Sequence, residues 1–404
     1  MDDDPERVWK RAERAVITAD VPALEALLRD HEQLLRAGPP QRSWFDGLPP
    51  HFSGDDVRAI IASSHHFDSW QEFAAFARAL ADEKSAVAQF EAAVDAVING
   101  DEATLDRLLR AHPELVHARS VRPHHATLLN YVGANGVEGF RQKTPKNAVR
   151  IAELLLEAGA EVDAVGDMYR GTTTLGLVAT SVHPVETGVQ ADLIDLLVNA
   201  GASLARAVAP DYTEGRVVNA CLANGRGEGA QLVAAHGAEL DLEGAAGIGC
   251  LDVVKSFFDE DGRLKPGATR DQMRAGLFWA CQYGHRDVVE FLLGRGVDLA
   301  EPHRGETMLH AAALGGHPEI VRILLAHGAP LDVEDENYHG TPLAWALYGW
   351  ANRSTNVPPD GYYDIVDLLV AAGASVRDEW RASTGISRDS RLIAALMRGA
   401  RGRQ

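Results

Sequence analysis

Residues Gly305–Asp335 read GETMLHAAALGGHPEIVRILLAHGAPLDVED and spell one complete helix–turn–helix unit. Thr307 is placed to N-cap an inner helix over Met308–Leu314, and Gly315-Gly316 stops that helix. Pro318 opens a second helix, in the first turn, where its missing N–H costs nothing. Ile320, Val321, Ile323, Leu324 and Leu325 give this outer helix an apolar face at helical spacing, and Gly328 supplies the left-handed residue that ends it. A unit this small cannot bury its own apolar face, so the stretch requires stacked neighbours.

The neighbours are present. The helix-ending glycine recurs in EAGAEVD at Gly159, NAGASL at Gly201, AHGAELD at Gly237, GRGVDL at Gly296, AHGAPLD at Gly328 and AAGASV at Gly373. The gaps are 42, 36, 59, 32 and 45 residues, and the gap of 59 hides a degenerate unit at Leu242–Gly262. Further upstream, Ala15–Leu35 and Ala96–Val116 agree at 10 of 21 positions at an offset of 81. Between them Gly38–Gly54 reads as a linker, and Asp55–Leu80 as a helix pair with Trp70, Phe73 and Phe76 spaced to pack inward.

A base period near 33 residues is the ankyrin spacing, and the chain resembles ankyrin-repeat proteins. The resemblance rests on GETMLHAAALGGHPEIVRILLAHGA, ACQYGHRDVVEFLLGRGVDL, and GTPLAWALYG with YYDIVDLLVAAGA, and covers about Phe90–Arg377. The segment HHFDSWQEFAAFARAL is also similar to the helical extension before the first repeat of some bacterial ankyrin proteins. Departures are visible: Ala344 stands where the T-P-L-H pattern has His, and Met308 where it has Pro. The expected fold is an all-α ankyrin solenoid with short β-turn or hairpin connections and helical caps at both ends. It divides into helical N-terminal units over 1–87, about eight repeats over 88–377, and a capping helix with a basic tail over 378–404.

Composition narrows function. A net charge of −19 argues against a phosphate-binding surface, so no nucleic-acid partner is expected. No stretch approaches 18 uninterrupted apolar residues, so no membrane span is expected. The N-terminus MDDDPERVW lacks a signal-peptide pattern, and three cysteines in 404 residues read as a reducing cytoplasm. Cys221, Cys250 and Cys281 recur at repeat spacing and lack the short spacings of metal ligands, so they read as packing residues. Neither a cofactor nor a metal is expected, no motif of an NTPase, hydrolase or zinc protease occurs, and the chain reads as a monomeric binding protein more than an enzyme.

Two places could carry binding. Aligned by repeat position, extra residues fall between inner and outer helices at 138–148, 184–190 and 352–362, on one edge of the solenoid, where insertions build binding surfaces. Over the first two of these, Asn130, Tyr131, Asn135, Glu138, Arg141, Asp167, Tyr169, Arg170 and His183 offer mixed polar groups and aromatics for a small-molecule pocket, or for a cofactor-independent enzyme. The second place is the concave face, the usual binding surface of the fold. Its exposed positions read Gln282, Tyr283, His303, Arg304, Glu306, Leu314 and Tyr348, with Trp350 nearby, and Tyr283 and Tyr348 are expected to be exposed. The first reading is therefore a binding module for a protein or peptide, basic in character, held in an acidic concave groove. A small-molecule ligand at the inserted loops is the alternative.

Overall fold

The structure, a computed structural model, describes residues 4–36, 52–205, 216–353, 359–383 and 385–401. Most of the linker at Gly38–Gly54, residues 354–358 of the third insertion and the last residues of the basic tail lie outside them. Among the described residues the chain is helical, and its extended segments pair only through isolated bridges, such as Arg119 with Thr127 and His303 with Glu306. The backbone contacts group it into two compact units, Met1–Ala220 with Ala235–Gly237, and Cys221–Ala234 with Ala238–Gln404.

The first unit begins with helices α1 (Pro5–Ile17), α2 (Val21–Arg36), α3 (Gly54–Ser64), α4 (Trp70–Leu80) and α5 (Ala86–Asn99). Serine caps open three of them: Ser53 before α3, Ser69 before α4 and Ser85 before α5. The α3–α4 pair predicted at Asp55–Leu80 is present; Phe73 and Phe76 are buried with Phe67 in an aromatic cluster, and Trp70 is half-buried at its rim. The unit continues with α6 (Glu102–Ala111), α7 (Leu128–Tyr131), α8 (Ala148–Glu157), α9 (Thr174–Thr180), α10 (His183–Thr187) and α11 (Gln190–Asn199). Inner helix α7 packs on α5 and α9, and outer helix α8 on α6 and α11, which is the stacking that each short pair needs.

Helices α12 (Val217–Ala223) and α13 (Gly227–Ala235) follow. The second unit contains α14 (Leu242–Gly247), α15 (Leu251–Ser256), α16 (Arg270–Tyr283), α17 (Arg286–Leu293), α18 (Met308–Gly315), α19 (Pro318–Ala326), α20 (Pro342–Asn352) and α21 (Asp360–Ala371). Its inner helices stack in the order α14, α16, α18, α20, and its outer helices in the order α15, α17, α19, α21. The quoted stretch folds as its sequence dictates, with α18 ending one residue beyond the expected Leu314 and α19 opening at Pro318. Helix α18 is sandwiched on several sides, and Ala311, Ala312 and Ala313 are fully buried; a helix that is apolar all round is one that touches neighbours all round. After α22 (Asp378–Ala382), helix α23 (Ser390–Arg401) packs on α21, where Arg391 pairs with Asp360 and Asp364.

One device recurs between repeats. His285 Nε2 meets the Gly247 carbonyl at 3.0 Å and His317 Nε2 meets the Gln282 carbonyl at 2.9 Å, so each ring donates from Nε2 to the end of the preceding inner helix. The next repeat carries the insertion at 352–362 and has no histidine there. Its Tyr362 hydroxyl donates to the Leu314 carbonyl at 3.0 Å instead. The ring passes so close to Gly349 that a Cβ there would lie 2.6 Å from it, so only glycine admits the replacement.

Candidate functional site

The sequence-selected residues of the first unit are mostly turned inward. Asn130 is fully buried and does the work of a T-P-L-H histidine: Oδ1 accepts the Thr127 N–H at 3.0 Å, and Nδ2 donates to the Ala164 carbonyl and the Thr174 hydroxyl. In the second unit His310 bridges the same two places, accepting the Thr307 N–H on Nδ1 and donating from Nε2 to the Gly340 carbonyl at 3.0 Å. Both side chains tie the start of an inner helix to the next hairpin loop.

Glu138 and Arg141 were expected on an exposed edge loop, and the structure buries both. The inserted segment turns through a short 3₁₀ helix at Gly139–Arg141 and packs against the N-terminal helices, with the Phe140 ring 5.1 Å from that of His65. Arg122 bridges Glu91 at 2.6 Å and also pairs with Glu138, while Arg141 bridges Glu91 at 2.5 Å and Asp95 at 3.1 Å. The Arg122 guanidinium also lies over the Phe76 ring at 4.5 Å and donates to the His65 carbonyl. The physical reason is charge: two arginines taken out of water need two carboxylates at contact distance, and only Glu91 and Glu138 are buried with them. Burial opposes the Glu138 charge, and His124, Arg122 and Arg141 outweigh it, lowering its pKa to about 2. Tyr131 is buried beside this cluster, 3.5 Å from Glu138, and burial pushes its hydroxyl far up.

The remaining residues of this set stay near the surface. The Tyr169 hydroxyl donates to Asn135 at 2.7 Å, and Tyr169 and Arg170 both adopt the left-handed region at φ +50° and +63°. Asp167 pairs with His125 at 2.7 Å, whereas His183 sits against Glu186 at 3.9 Å. The first two insertions do meet, through the Thr187 hydroxyl and the Thr144 carbonyl at 3.2 Å.

The second unit leaves more open. His303 and Glu306 close a hairpin tip through two backbone bonds, with Arg304 and Gly305 both at positive φ, the geometry of a tight type I′ turn. Gln282, Arg304, Glu306 and Leu314 line one depression of about 250 Å³, together with Ala223, Phe278, Trp279, Asn337 and Tyr338. His303 stacks behind it, 5.0 Å from Phe278 and 5.5 Å from Trp279. Burial, with Arg304 and Arg274, lowers its imidazole to about 4. Tyr348 is exposed as expected and stands edge-on to Trp345, as does Tyr338. Tyr283 differs from expectation. It is half-buried, its hydroxyl donates to the Leu222 carbonyl at 2.6 Å, and its ring fills the space a Cβ on Gly227 would occupy. Trp350 is half-buried with the Arg353 guanidinium over its ring.

Two carboxylates govern this face. Asp335 is buried and accepts from the Asn337, Tyr338 and Gly340 N–H groups and from the Trp345 indole N–H, at 2.7–2.9 Å. Burial works against its charge, and the four donors outweigh it and hold the carboxyl below the usual range. Glu306 is the opposite case: half-buried in the depression, with no hydrogen-bond or ion-pair partner for its carboxylate among the described residues. Burial and the Asp335 charge, against the pull of Arg304, raise it to about 7. Sequence reasoning missed Phe278, Asn337 and Tyr338, because the outward turn of a side chain at a hairpin tip has no periodic signal.

The chain carries ankyrin repeats: the family model described as ankyrin repeats, in three copies, matches residues 277–379. Over 114 residues the chain is 31% identical to the E3 ubiquitin-protein ligase Ufd4 of Drosophila melanogaster, covering 28% of this chain and 4% of that one. It is 34% identical over 97 residues to the ankyrin repeat protein nuc-2 of Neurospora crassa, covering 24% and 9%. Across 265 residues it is 27% identical to the ankyrin repeat and KH domain-containing protein mask-1 of Caenorhabditis elegans, covering 56% and 9%. The chain thus spans less than a tenth of each of these relatives. Among solved structures, the human ASB11 ankyrin repeat domain matches at 19% identity and a TM-score of 0.36, over 70% of this chain and 99% of that one. Ankyrin repeats point to protein partners in general.

Proposed function

We propose that the chain is a binding module that holds a protein or peptide partner on the inner-helix face of its second unit. The observation that carries this reading is the depression that Gln282, Arg304, Glu306 and Leu314 line together with buried Phe278 and Trp279 and exposed Tyr338, with Tyr348 exposed nearby. Aromatic residues around a carboxylate are what anchors a partner's side chain, and about 250 Å³ is below the range of pockets that enclose small molecules. The net charge of −19 supports a basic partner, steered by the field of the chain. No disulfide links Cys221, Cys250 and Cys281, in keeping with a reducing compartment such as the cytoplasm.

The test is selection from a displayed library of random 12-residue peptides on the whole protein, followed by titration of the selected peptides. Tyr338→Ala and Tyr348→Ala should each weaken binding at least about tenfold if these rings are anchors. Affinity should also fall between about 50 mM and about 500 mM salt. Binding that ignores both tyrosines would place the partner elsewhere. The small-molecule reading at the Thr127 and Thr173 repeats draws less support, since Asn130, Tyr131, Glu138 and Arg141 are engaged with one another and with the backbone.

A further inference from the structure

We propose that the depression on the second unit is a receptor for one cationic side chain, a lysine or arginine of the bound peptide, with Glu306 as the counter-charge and the exposed ring of Tyr338 at its rim. This rests on the reading that this face binds a peptide.

A carboxylate is rarely left half-buried without a donor or a cation, because desolvation costs it more than exposure would. The other acidic groups buried or paired around the depression are engaged, and Glu336, beside the Gly305 turn, is exposed. Asp335 holds four donors, and Glu243 accepts from the Trp279 indole N–H at 2.9 Å. Glu334, beyond the hairpin, pairs with Arg377 at 2.8 Å. Glu306 has no such partner among the described residues. Arg304 is the nearest cation of the chain itself, but it is exposed and lies beyond ion-pair distance. The rim suits a cation as well. Tyr338, 76% exposed, stands at the rim of the depression while Trp279 is buried in its floor, and a guanidinium or ammonium gains from both the Tyr338 ring quadrupole and the carboxylate in a partly desolvated site. The cavity is small enough for one long side chain and too small for a cofactor.

The charge state of Glu306 provides a signature. The groups around it are Arg304, Asp335, Glu336 against the Gly305 turn, His339 on the neighbouring loop and, behind the turn, His303 and Arg274. His303 is held at about 4 and Asp335 below its usual range, so above pH 6 neither changes charge. Glu306 is raised into that range, to about 7. A cation that needs the ionised carboxylate therefore binds more tightly as pH rises from 6 to 8, by up to about tenfold.

The experiment uses the full chain and the peptides selected from the random library. In each, the basic residues are replaced one at a time by norleucine or citrulline, and affinity is measured by calorimetry at pH 6 and pH 8. One basic residue should account for a loss of at least about tenfold, and Glu306→Gln should abolish both that loss and the pH dependence. Arg304→Ala, which removes the competing cation, should tighten binding. Thermal melting of Glu306→Gln at pH 8, at or above that of the wild type, establishes that it is folded. If peptides bind and respond to Tyr338→Ala and Tyr348→Ala but ignore Glu306→Gln, the face is a binding face and the cation receptor is wrong. If no peptide is enriched, both readings fail.

Discussion

The buried cluster of the first unit and the open depression of the second are built from the same repeat plan, and they dispose of their charges in opposite ways. In the first, an insertion folds back so that Glu138 and Arg141 join Glu91 and Arg122 in a closed ion-pair network. In the second, the hairpin at His303–Glu306 holds a half-buried carboxylate with no cation in contact among the described residues. A charge that has found its partner within the chain stabilises the fold; one that has not is available to a ligand. On the proposed reading, the first unit spends its charges on structure and the second keeps one for recognition, although the sequence offers polar residues in both.

Breaking the closed network should have the largest effect. Glu138→Ala leaves two buried guanidinium groups sharing Glu91, and should cost about 3–5 kcal/mol in the unfolding transition of the first unit. A loss below about 1 kcal/mol, read by urea denaturation, would mean that the cluster is hydrated and not buried. Leu324→Ala in the second unit removes a fully buried side chain of α19 and should cost about 2–5 kcal/mol. Because repeats depend on their neighbours, its effect should reach hydrogen exchange in α17 and α21 as well.

Asp335→Ala would strand four donors and should cost about 1.5–3 kcal/mol at neutral pH. The folded-state pKa of Asp335 is depressed, so this stabilisation is present above the ordinary carboxylate pKa and is lost as pH falls through the folded value. Wild type and variant should therefore converge only as pH falls well below about 4, through the depressed folded value, and a difference that persisted beneath it would mean shape and not charge is involved. Asn130→His tests whether the two capping side chains are equivalent. With the same acceptor and donor reach it should change stability by less than about 1 kcal/mol, while Asn130→Ala should cost about 1–2 kcal/mol. Smallest in size and opposite in sign is Glu306→Gln. Its folded pKa is raised, so the stability linked to its proton is present below the ordinary carboxylate value and lost as pH rises through about 7. The variant should melt slightly higher than wild type at pH 8, and with no advantage at pH 4.

The repeat plan itself was legible in the sequence. The capping threonines at 127, 173, 307 and 341, the proline at 318 and the glycines that end the helices each have a local cause, and each element starts and stops where that cause sits. The site was only partly legible. Glu306, Arg304, Gln282 and Leu314 were selected by repeat position, which fixes the face a residue occupies. Tyr283 was placed on that face too, but the missing Cβ of Gly227, some fifty residues away in sequence, lets its ring sink inward.

What the sequence determined by itself is therefore everything periodic: which segments are helices, which glycines end them, and that the units must stack. Periodicity is a local property, set by caps, turns and the spacing of apolar side chains. Only the tertiary structure decided which polar residues are consumed and which are left open. That outcome depends on pairs far apart in the chain, Glu91 with Arg141, Asp335 with Trp345, Tyr362 with the carbonyl of Leu314. Whether a carboxylate is paired or waiting is a matter of distance in space, and no repeat pattern encodes it.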